Sequence, residues 1–399
     1  MIKKRILFIT YENPLSKDNG DRIYTSNFLD GLIDLESNID ILCYDSNKNI
    51  EKSYDRKRAD GYEGLNIQYV KFKAASKLKV MFSLLPGMVV NRKRENFIDV
   101  LKSKLKKNNY DYIFVNHLKM VFTLDAIIHK SLNAKLCFIS HNAEYLLSKN
   151  NAVNSRSIIN RIIYWQDALK TKNYEDKMLN HFDYITTISE HDLDYYNMNF
   201  INPEILILRP VFGINNLKII DKNQKKINEI VIVGSFLWGP KTENLLSFLN
   251  SKNFKKIHAN NLKLTIVGNA DPELVKKVNS NYSGVIMTGK VESVDIYYAK
   301  AKIGIVPEVL GGGFKLKVAE SALQKTAIFS VKGAITKCNL EKDKHFIEAS
   351  NFEELINKVI EYQNREIEID AMIEKAFKVA KHDFSKNKFK SDIIKILSN

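Results

Sequence analysis

The amino-acid sequence predicts an α/β protein made of two doubly wound domains, each built on a parallel sheet. Short β-branched or apolar runs alternate with longer helical stretches in both halves of the chain, which is typical of βαβ units. The 399 residues exceed the size at which a single hydrophobic core usually keeps growing. A polar segment at 209–228, with Pro210 and Gly213, separates the two series and is predicted to be a linker.

The predicted strands define the two domains. The first half contains strands at 5–10, 39–44, 67–72, 112–116, 135–140 and 184–189. The second half contains strands at 229–234, 262–268, 284–288, 303–307 and 326–330. The expected domains are residues 1–209, completed by the last helix at 385–399, and residues 210–384. In open parallel sheets ligands bind at the carboxyl ends of the strands, so the residues that follow each strand are the candidates for function.

Cysteine content and hydropathy favour a cytoplasmic protein. The three cysteines, Cys43, Cys137 and Cys338, are odd in number, widely spaced and embedded in apolar runs, which indicates neither a disulfide framework nor a zinc site. The apolar run near the amino terminus is too short for a signal peptide. The stretch 80–90 is too short to span a bilayer and contains Pro86 and Gly87.

The net charge of +15 is concentrated in one part of the chain. Eleven lysines and arginines lie within 71–107, against only Glu95 and Asp99. Such a run is compatible with a solvated surface or with contact to an anionic membrane at its inner face. No recognition motif for nucleic acid accompanies it, so a nucleic-acid partner is not expected.

The most informative segment follows a predicted strand and opens a predicted helix. It reads Gly311-Gly312-Gly313-Phe314-Lys315-Leu316-Lys317-Val318-Ala319-Glu320. Glycines allow close approach of the backbone to a ligand, and free N–H groups at a helix amino terminus suit a diphosphate. Lys317 adds a positive charge, and Glu320 can accept hydrogen bonds from a ribose diol. The alternative is a glycine loop followed by a solvated amphipathic helix.

This segment resembles the donor-site motif of glycosyltransferase family 4, Gly-Gly-Gly-Thr-Arg-Leu-Lys-x-x-Glu-Ala. The resemblance implies the GT-B fold, in which two Rossmann-like domains face each other across a cleft. It assigns Lys317 to the donor diphosphate and Glu320 to the ribose hydroxyls, with Phe314 in the donor site. Many relatives carry another glutamate eight residues earlier, where this chain has Gly312. Contacts to the sugar are therefore expected from the backbone amides of Gly312 and Gly313.

A second resemblance lies after the first strand of the second half. The segment Gly234-Ser235-Phe236-Leu237-Trp238-Gly239-Pro240-Lys241 is similar to the family's Gly-Ser-x-x-Trp-x-Pro-Asn turn. Ser235 replaces the arginine that most relatives carry, so Lys241 and Lys315 are expected to supply the positive charge on the diphosphate. The loop 289–292, which includes Val291, is expected to bind the base through its backbone. A purely structural strand and turn is the alternative for 234–241.

Two segments of the first half also resemble the family. Residues 13–24 are similar to its Pro-x-x-x-x-Lys-Gly-Asp-Arg-Ile-Arg loop, which implies that Gly20 and Arg22 lie beside the transferred sugar or its phosphate. Arg22 as a solvated residue at a helix start is the alternative. His141 follows a strand at the family's His-Asp or His-Asn position, which implies contact with a sugar hydroxyl. Ser189 and Asp192 are predicted to cap the following helix.

The resemblance implies a retaining hexosyltransferase of bacterial surface polysaccharide synthesis that needs no metal ion or other cofactor. The expected donor is a UDP-sugar, slightly favoured over a GDP-sugar, and the acceptor is a glycan or lipid-linked glycan. Two alternatives stay open: a sugar-nucleotide epimerase of the same fold, and a non-catalytic partner of a polysaccharide assembly complex that binds a sugar nucleotide or lipid.

Overall fold

The computed structural model describes residues 3–15, 20–45, 64–76, 80, 82–130, 133–155, 157–212, 227–309, 314–335, 339–362 and 366–398. The chain forms two compact units. The first comprises Met1–Ala152, Arg156–Val211 and Asn387–Asn399, and the second comprises Val153–Ser155 and Phe212–Lys386. Each unit has a parallel sheet with helices, which confirms the predicted α/β class.

The first unit contains a seven-stranded parallel sheet within its described residues, in the order β3-β2-β1-β4-β5-β6-β7. Its strands are β1 (Arg5–Ile9), β2 (Asn38–Asp45), β3 (Leu65–Lys71), β4 (Tyr112–Asn116), β5 (Lys135–Ile139), β6 (Tyr184–Thr187) and β7 (Glu204–Ile207). The strand order reverses between β1 and β4, and such a reversal leaves a crevice at the carboxyl ends of the two strands. All five residues of β4 are buried, as expected for a central strand that helices cover on both faces.

The helices of the first unit follow its strands in alternation. They are α1 (Gly20–Ile33), α2 (Gly87–Val90), α3 (Glu95–Lys107), α4 (Leu124–Ile128), α5 (Glu144–Asn154), α6 (Ile158–Met178) and α7 (Glu190–Asn199), with 3-10 turns at Leu118–Thr123 and Leu179–His181. The predicted cap of α7 is confirmed, because the Ser189 hydroxyl accepts a hydrogen bond from the Asp192 N–H over 3.2 Å.

The second unit contains a six-stranded parallel sheet within its described residues, in the order β10-β9-β8-β11-β12-β13. Its strands are β8 (Ile227–Val233), β9 (Lys263–Val267), β10 (Val285–Met287), β11 (Ala301–Val306), β12 (Ala327–Val331) and β13 (Ile347–Ala349). Its helices are α8 (Gly239–Leu249), α9 (Lys255–Ala259), α10 (Pro272–Asn281), α11 (Asp295–Lys300), α12 (Leu316–Leu323), α13 (Phe352–Tyr362) and α14 (Glu366–Asp383). The strand order reverses between β8 and β11, so these two strands end beside one another.

All eleven predicted strands are present, with ends that differ by at most two residues. The sequence did not predict β7 or β13, which have four and three residues. The predicted linker at 209–228 falls largely on 213–226, outside the described residues, and its last two residues belong to β8. No helix of the described residues is long and apolar enough to cross a membrane.

The last helix, α15 (Lys386–Leu397), packs in the first unit against α1. The rings of Phe28 and Phe389 meet edge to face with centroids 5.8 Å apart. Gly31 is required at this contact, because a Cβ there would lie 2.7 Å from Ile393 Cδ1 and 2.8 Å from the Phe389 ring. The carboxyl-terminal segment is therefore part of the core of the first unit.

We expect Gly31→Ala to destabilise the protein by about 1–3 kcal/mol, because the added methyl group overpacks the contact between α1 and α15. Urea denaturation monitored by circular dichroism measures the change. Gly239→Ala is the matched control, since that glycine is also helical and its Cβ would meet no atom within 4 Å. Equal stability of the two variants would show that α15 does not press on Gly31.

Candidate functional site

The polar centre of the first unit lies where β1, β4 and β5 end side by side. Asn116, the last residue of β4, donates through Nδ2 to the hydroxyls of Thr10 and Thr25, each over 3.0 Å. Its Oδ1 lies 2.8 Å from Nε2 of His141, the second residue after β5. Because the amide nitrogen serves as the donor, Oδ1 is the acceptor and His141 Nε2 carries the proton. The strand ends thus fix the orientation of the imidazole.

The other edge of the His141 ring faces a carboxylate. Nδ1 lies 3.7 Å from Oδ1 of Asp21, in the first turn of α1. The edge of the Tyr24 ring packs against the imidazole, with centroids 5.1 Å apart. His141 is buried, whereas the Asp21 side chain is 43% exposed. The histidine is therefore held by buried partners, and the more accessible group beside it is the carboxylate.

Asp21 is surrounded by groups that favour its ionised form. The Tyr11 hydroxyl donates to Oδ2 over 3.1 Å, and Lys119 Nζ lies 4.0 Å from the same atom. Desolvation raises the pKa of Asp21, but hydrogen bonding and charge from His141, together with the charge of Lys119, hold it below its ordinary value. Asp21 therefore supplies a negative charge at neutral pH.

A second imidazole lies beside the first, and it is paired with a buried acid. His117 follows β4 with a φ of 76°, and its ring centroid is 5.1 Å from that of His141. Its Nδ1 accepts the Lys119 N–H over 3.4 Å, so Nε2 is the donor toward Glu144 Oε1 at 3.3 Å. Burial, followed by the charge of Lys119, lowers the pKa of His117. Burial also raises the pKa of Glu144 to about 8.

Arg22 and Gly20 were both predicted to lie beside the sugar, and the structure describes the surroundings of Arg22. Arg22 forms an ion pair with Glu12 over 2.6 Å, and both side chains are 15% exposed. Gly20 is the first residue of α1, and residues 16–19 before it lie outside the described residues. The roles of Gly20 and Arg22 toward a sugar stay predictions.

In the second unit, positive charge converges on one buried glutamate. Glu308 follows β11, and its Oε1 lies 2.5 Å from Nζ of Lys317 in α12. Lys315 Nζ lies 4.0 Å from Oε2 of the same carboxylate. Burial raises the pKa of Glu308, but the charges of Lys317, Lys315 and Lys241 bring it below its ordinary value. Three predicted diphosphate-binding lysines are therefore brought together by an acid that the sequence reasoning did not select.

The loops after β8 and β9 close tightly around this charge. A Cβ on Gly234, directly after β8, would lie 3.4 Å from Lys317 Nζ, so the ammonium rests against the backbone of that turn. Gly268, with a φ of 134°, packs on the same turn, because a Cβ there would be 1.9 Å from the Gly234 carbonyl oxygen. Ser235 continues the turn and is half-buried. Glycine at both positions lets the two turns approach each other closely beside the Lys317 ammonium.

Glu320 lies one turn beyond Lys317 in a desolvated setting. Burial raises its pKa to about 7, the Asp295 charge adds to the increase, and the Lys317 charge and a hydrogen bond with Tyr298 oppose it. Asp295 itself accepts the Gln324 amide over 3.0 Å. Glu320 is therefore a carboxyl group whose charge is poorly solvated and which gains from hydrogen-bond donors supplied by a ligand.

The other residues predicted for the donor site are Gly312, Gly313, Phe314 and Val291. Gly312 and Gly313 lie outside the described residues. Phe314 stacks on Phe384 with ring centroids 5.3 Å apart and packs against the core of the second unit, so its ring has a structural function. Val291 packs beside the ends of β8 and β9. A ligand role for these residues stays a prediction.

Sequence reasoning missed Asp21, Glu144 and Glu308 as functional candidates. Asp21 stands next to the predicted Arg22, and Glu144 stands three residues after His141, so proximity to a selected residue was the available signal. Glu308 stands directly after a strand and nine residues before Lys317, outside the family motif. No group of three or more His, Cys, Asp or Glu in the part of the chain that the structure describes is arranged to hold a metal ion.

Comparisons with known proteins show which family model and which solved structures this chain resembles. Residues 227–364 match the family model described as glycosyl transferases group 1. The sucrose-phosphate synthase of Thermosynechococcus elongatus superposes with a TM-score of 0.74 at 13% identity, over 99% of this chain and 98% of that one. Anabaena HepE in complex with UDP and glucose superposes with a TM-score of 0.66 at 11% identity, over 99% of each chain. These similarities confirm the GT-B fold.

A curated relative is more similar in sequence. It is an uncharacterised 44.6 kDa protein in the cps region of Klebsiella pneumoniae, 26% identical over 246 residues. The alignment covers 59% of this chain and 60% of the relative, so the chain spans less than two thirds of the relative's length.

We expect Glu144→Gln to remove a pH dependence of stability. The pKa of Glu144 is about 8 in the folded chain and near 4.5 when solvated, so its contribution is complete below about pH 4.5 and is lost as pH rises through 8. The variant should match the wild type near pH 5 and exceed its free energy of unfolding by roughly 2–4 kcal/mol near pH 9.

Urea denaturation at both pH values measures this difference, and the exposed Glu204→Gln is the control. Glu320 has a raised pKa in both proteins, so its titration cancels in the comparison. A constant difference between variant and wild type across the pH range would contradict a protonated Glu144.

Proposed function

We propose that this protein is a glycosyltransferase that moves a hexose from a nucleotide diphosphate donor to a glycan or lipid-linked glycan in polysaccharide synthesis. The match of 227–364 to glycosyl transferases group 1 supports the reaction class, and the relative in a cps region supports the polysaccharide context. UDP is the favoured nucleotide, because a protein of the same fold has been solved with UDP and glucose. The second unit would bind the donor and the first unit the acceptor.

The observation that carries this proposal is the convergence of Lys241, Lys315 and Lys317 on Glu308. Three positive charges against one carboxylate leave an excess that suits a diphosphate. Glu308 holds Lys317 in a fixed position, and the neighbouring turn at Gly234 offers backbone at close range. Charged donors fixed in this way stabilise a leaving group without reorganisation during the reaction.

The chemistry follows from where charge develops. The bond between the anomeric carbon and the diphosphate oxygen breaks, and its electron pair leaves on that oxygen. The lysines stabilise this charge, which is the function a divalent metal ion would otherwise serve, so we propose a metal-independent reaction. The acceptor oxygen forms the new bond to the anomeric carbon, and its proton passes to the departing phosphate. Retention of configuration is part of the proposal through the family resemblance.

The polar centre of the first unit has a binding role in this proposal. His141 is fixed through Nε2, and its other edge faces the ionised Asp21. A sugar hydroxyl can donate to Asp21 and gain from its charge. The neutral pair of His117 and Glu144 supports the two groups from within the unit.

A thermal-shift screen with UDP-, GDP-, ADP- and dTDP-sugars tests the donor class. A ligand that binds only the native state raises the melting temperature by mass action, so the true donor should stand out at millimolar concentration. Slow release of the nucleotide diphosphate without acceptor would then show that the bond to the sugar is activated. An unchanged melting temperature with all four donors would refute the proposal.

A sugar-nucleotide epimerase is the second candidate, and the pairing of two carboxyl groups with two histidines in the first unit favours it. Asp21 and Glu144 lie beside His141 and His117, and an epimerase requires acid and base groups of this kind. Incubation of the bound donor without acceptor separates the two functions. A new sugar nucleotide with no loss of nucleotide indicates an epimerase, whereas free nucleotide diphosphate indicates a transferase.

We expect Lys317→Ala to lower turnover about 100-fold or more, because its charge acts on the leaving diphosphate. Steady-state kinetics with the donor found in the screen measure the loss. Lys332→Ala, an exposed lysine after β12, is the control. The double variant Lys317→Met/Glu308→Gln removes both members of the buried pair and leaves the net charge of the site unchanged. Near-wild-type turnover of that folded double variant would remove Lys317 from catalysis.

We expect Glu320→Ala to weaken donor binding by roughly 1–3 kcal/mol, the scale for losing a charged partner of hydroxyl donors. Titration calorimetry with the nucleoside diphosphate measures the affinity. The free nucleoside diphosphate isolates the ribose contact from any sugar contact, and the corresponding 2′,3′-dideoxy compound should bind wild type and variant alike. Equal affinity of wild type and variant for the ribonucleotide would show that Glu320 does not contact the ribose.

A further inference from the structure

The amino-terminal half of α6 directs its apolar side chains away from the protein. These side chains are between 40% and 73% exposed. They are Ile158, Ile159, Ile162, Ile163, Trp165 and Leu169, and we call them the α6 apolar face. Spacings of three, four and seven residues bring them to one side of the helix. A surface helix of a globular protein normally presents such a stripe to the core.

The opposite side of α6 is the one attached to the first unit. Ala168 and Thr171 are fully buried, and Asp167 accepts the backbone N–H of Gly87 over 3.1 Å. Ser148 in α5 donates to the other oxygen of Asp167 over 3.5 Å. The carboxyl-terminal half of the helix is also anchored in the core through Tyr174 and Met178, so the outward apolar side of its amino-terminal half is a property of the folded unit.

A second exposed apolar element adjoins the helix. Phe82 and Leu84 are 78% and 91% exposed and precede Gly87, the residue that bonds to Asp167. Three residues of chain span at most about 10 Å, so Leu84 lies within that distance of the contact. Phe82 and Leu84 are therefore exposed apolar side chains near α6, in addition to the α6 apolar face.

The segments that carry these apolar side chains are mostly positively charged. Among the described residues, 71–94 contain five basic residues and no acidic ones, and 145–170 contain three basic residues and one acidic residue, Asp167. Asp167 is turned toward Gly87. Lys93 and Arg161 are exposed, whereas Lys104, farther along the basic stretch, is buried against Asp40 at 3.2 Å. Lys102, Lys106 and Lys107 in α3 are exposed as well, so the positive surface also extends along that helix.

We propose that the α6 apolar face, with Phe82 and Leu84, inserts into the interface of an anionic lipid bilayer. Isoleucine, tryptophan and flanking basic residues are the composition of helices that lie in the plane of a membrane surface. Basic residues beside the helix attract anionic headgroups, whereas a protein partner on this surface would need acidic groups opposite them. Lipid binding is independent of the donor chemistry proposed above and would hold the protein where a lipid-linked substrate is presented.

Vesicle co-sedimentation of the full-length protein tests this proposal. We expect the wild type to sediment with vesicles of phosphatidylcholine and phosphatidylglycerol at about 0.1 M salt, where the Debye length is about 10 Å. Binding to phosphatidylcholine alone should be weaker. Ile158→Gln/Ile159→Gln/Ile162→Gln should lower the partition coefficient at least about tenfold, since it removes the inserted side chains. Lys93→Gln/Arg161→Gln should weaken binding only to the anionic vesicles.

The control is Met198→Gln/Ile201→Gln, which replaces two exposed apolar residues of the same unit outside the α6 apolar face and should bind like the wild type. Thermal unfolding by circular dichroism establishes that each variant is folded. Wild-type protein that stays in the supernatant, or a folded isoleucine variant that still sediments, overturns the proposal. A wild-type dimer that the isoleucine variant converts to a monomer, without vesicle binding, overturns it in favour of self-association.

Discussion

Parallel pairing of strands that are distant in sequence is the constraint on which both polar centres depend. β1 pairs with β4 and β8 pairs with β11, and each pairing occurs where the strand order reverses. In the first unit it brings Asn116 to Thr10, and in the second it brings the turn at Gly234 beside Lys317. Carboxyl ends that meet at such a point leave room for a ligand, because the connections that follow them diverge.

The two polar centres stabilise their buried ionisable groups in different ways. In the first unit, burial keeps both His117 and Glu144 neutral, and His117 Nε2 lies 3.3 Å from Glu144 Oε1. In the second unit, Glu308 stays ionised because Lys317 and further lysines offset its desolvation. A neutral pair suits a support beneath a binding group, whereas charges that are already desolvated and fixed suit stabilisation of a leaving group.

The fold was predictable because its central strands are continuous apolar runs, whereas β7 and β13 are too short to give such a signal. The lysines were found through a motif, but Glu308 lies outside that motif and acquires its importance only from burial beside Lys317. Asp21 depends on its contact with His141, from a distant part of the chain, and Glu144 depends on its contact with His117, at the end of another strand. The spacing of isoleucines in α6 predicts an apolar helix face without indicating whether that face points inward, and only packing places it in solvent.

The distribution of the basic residues separates the proposed reaction from the proposed lipid contact. Lys317 is in contact with a buried carboxylate, and ions in solution screen such pairs weakly. Lys93 and Arg161 are exposed, so their attraction to headgroups falls as the ionic strength rises. Salt should therefore weaken membrane attachment before it alters the charge that the donor site provides. The two proposals thus assign basic residues to two physical settings, one desolvated in the second unit and one solvated on the first.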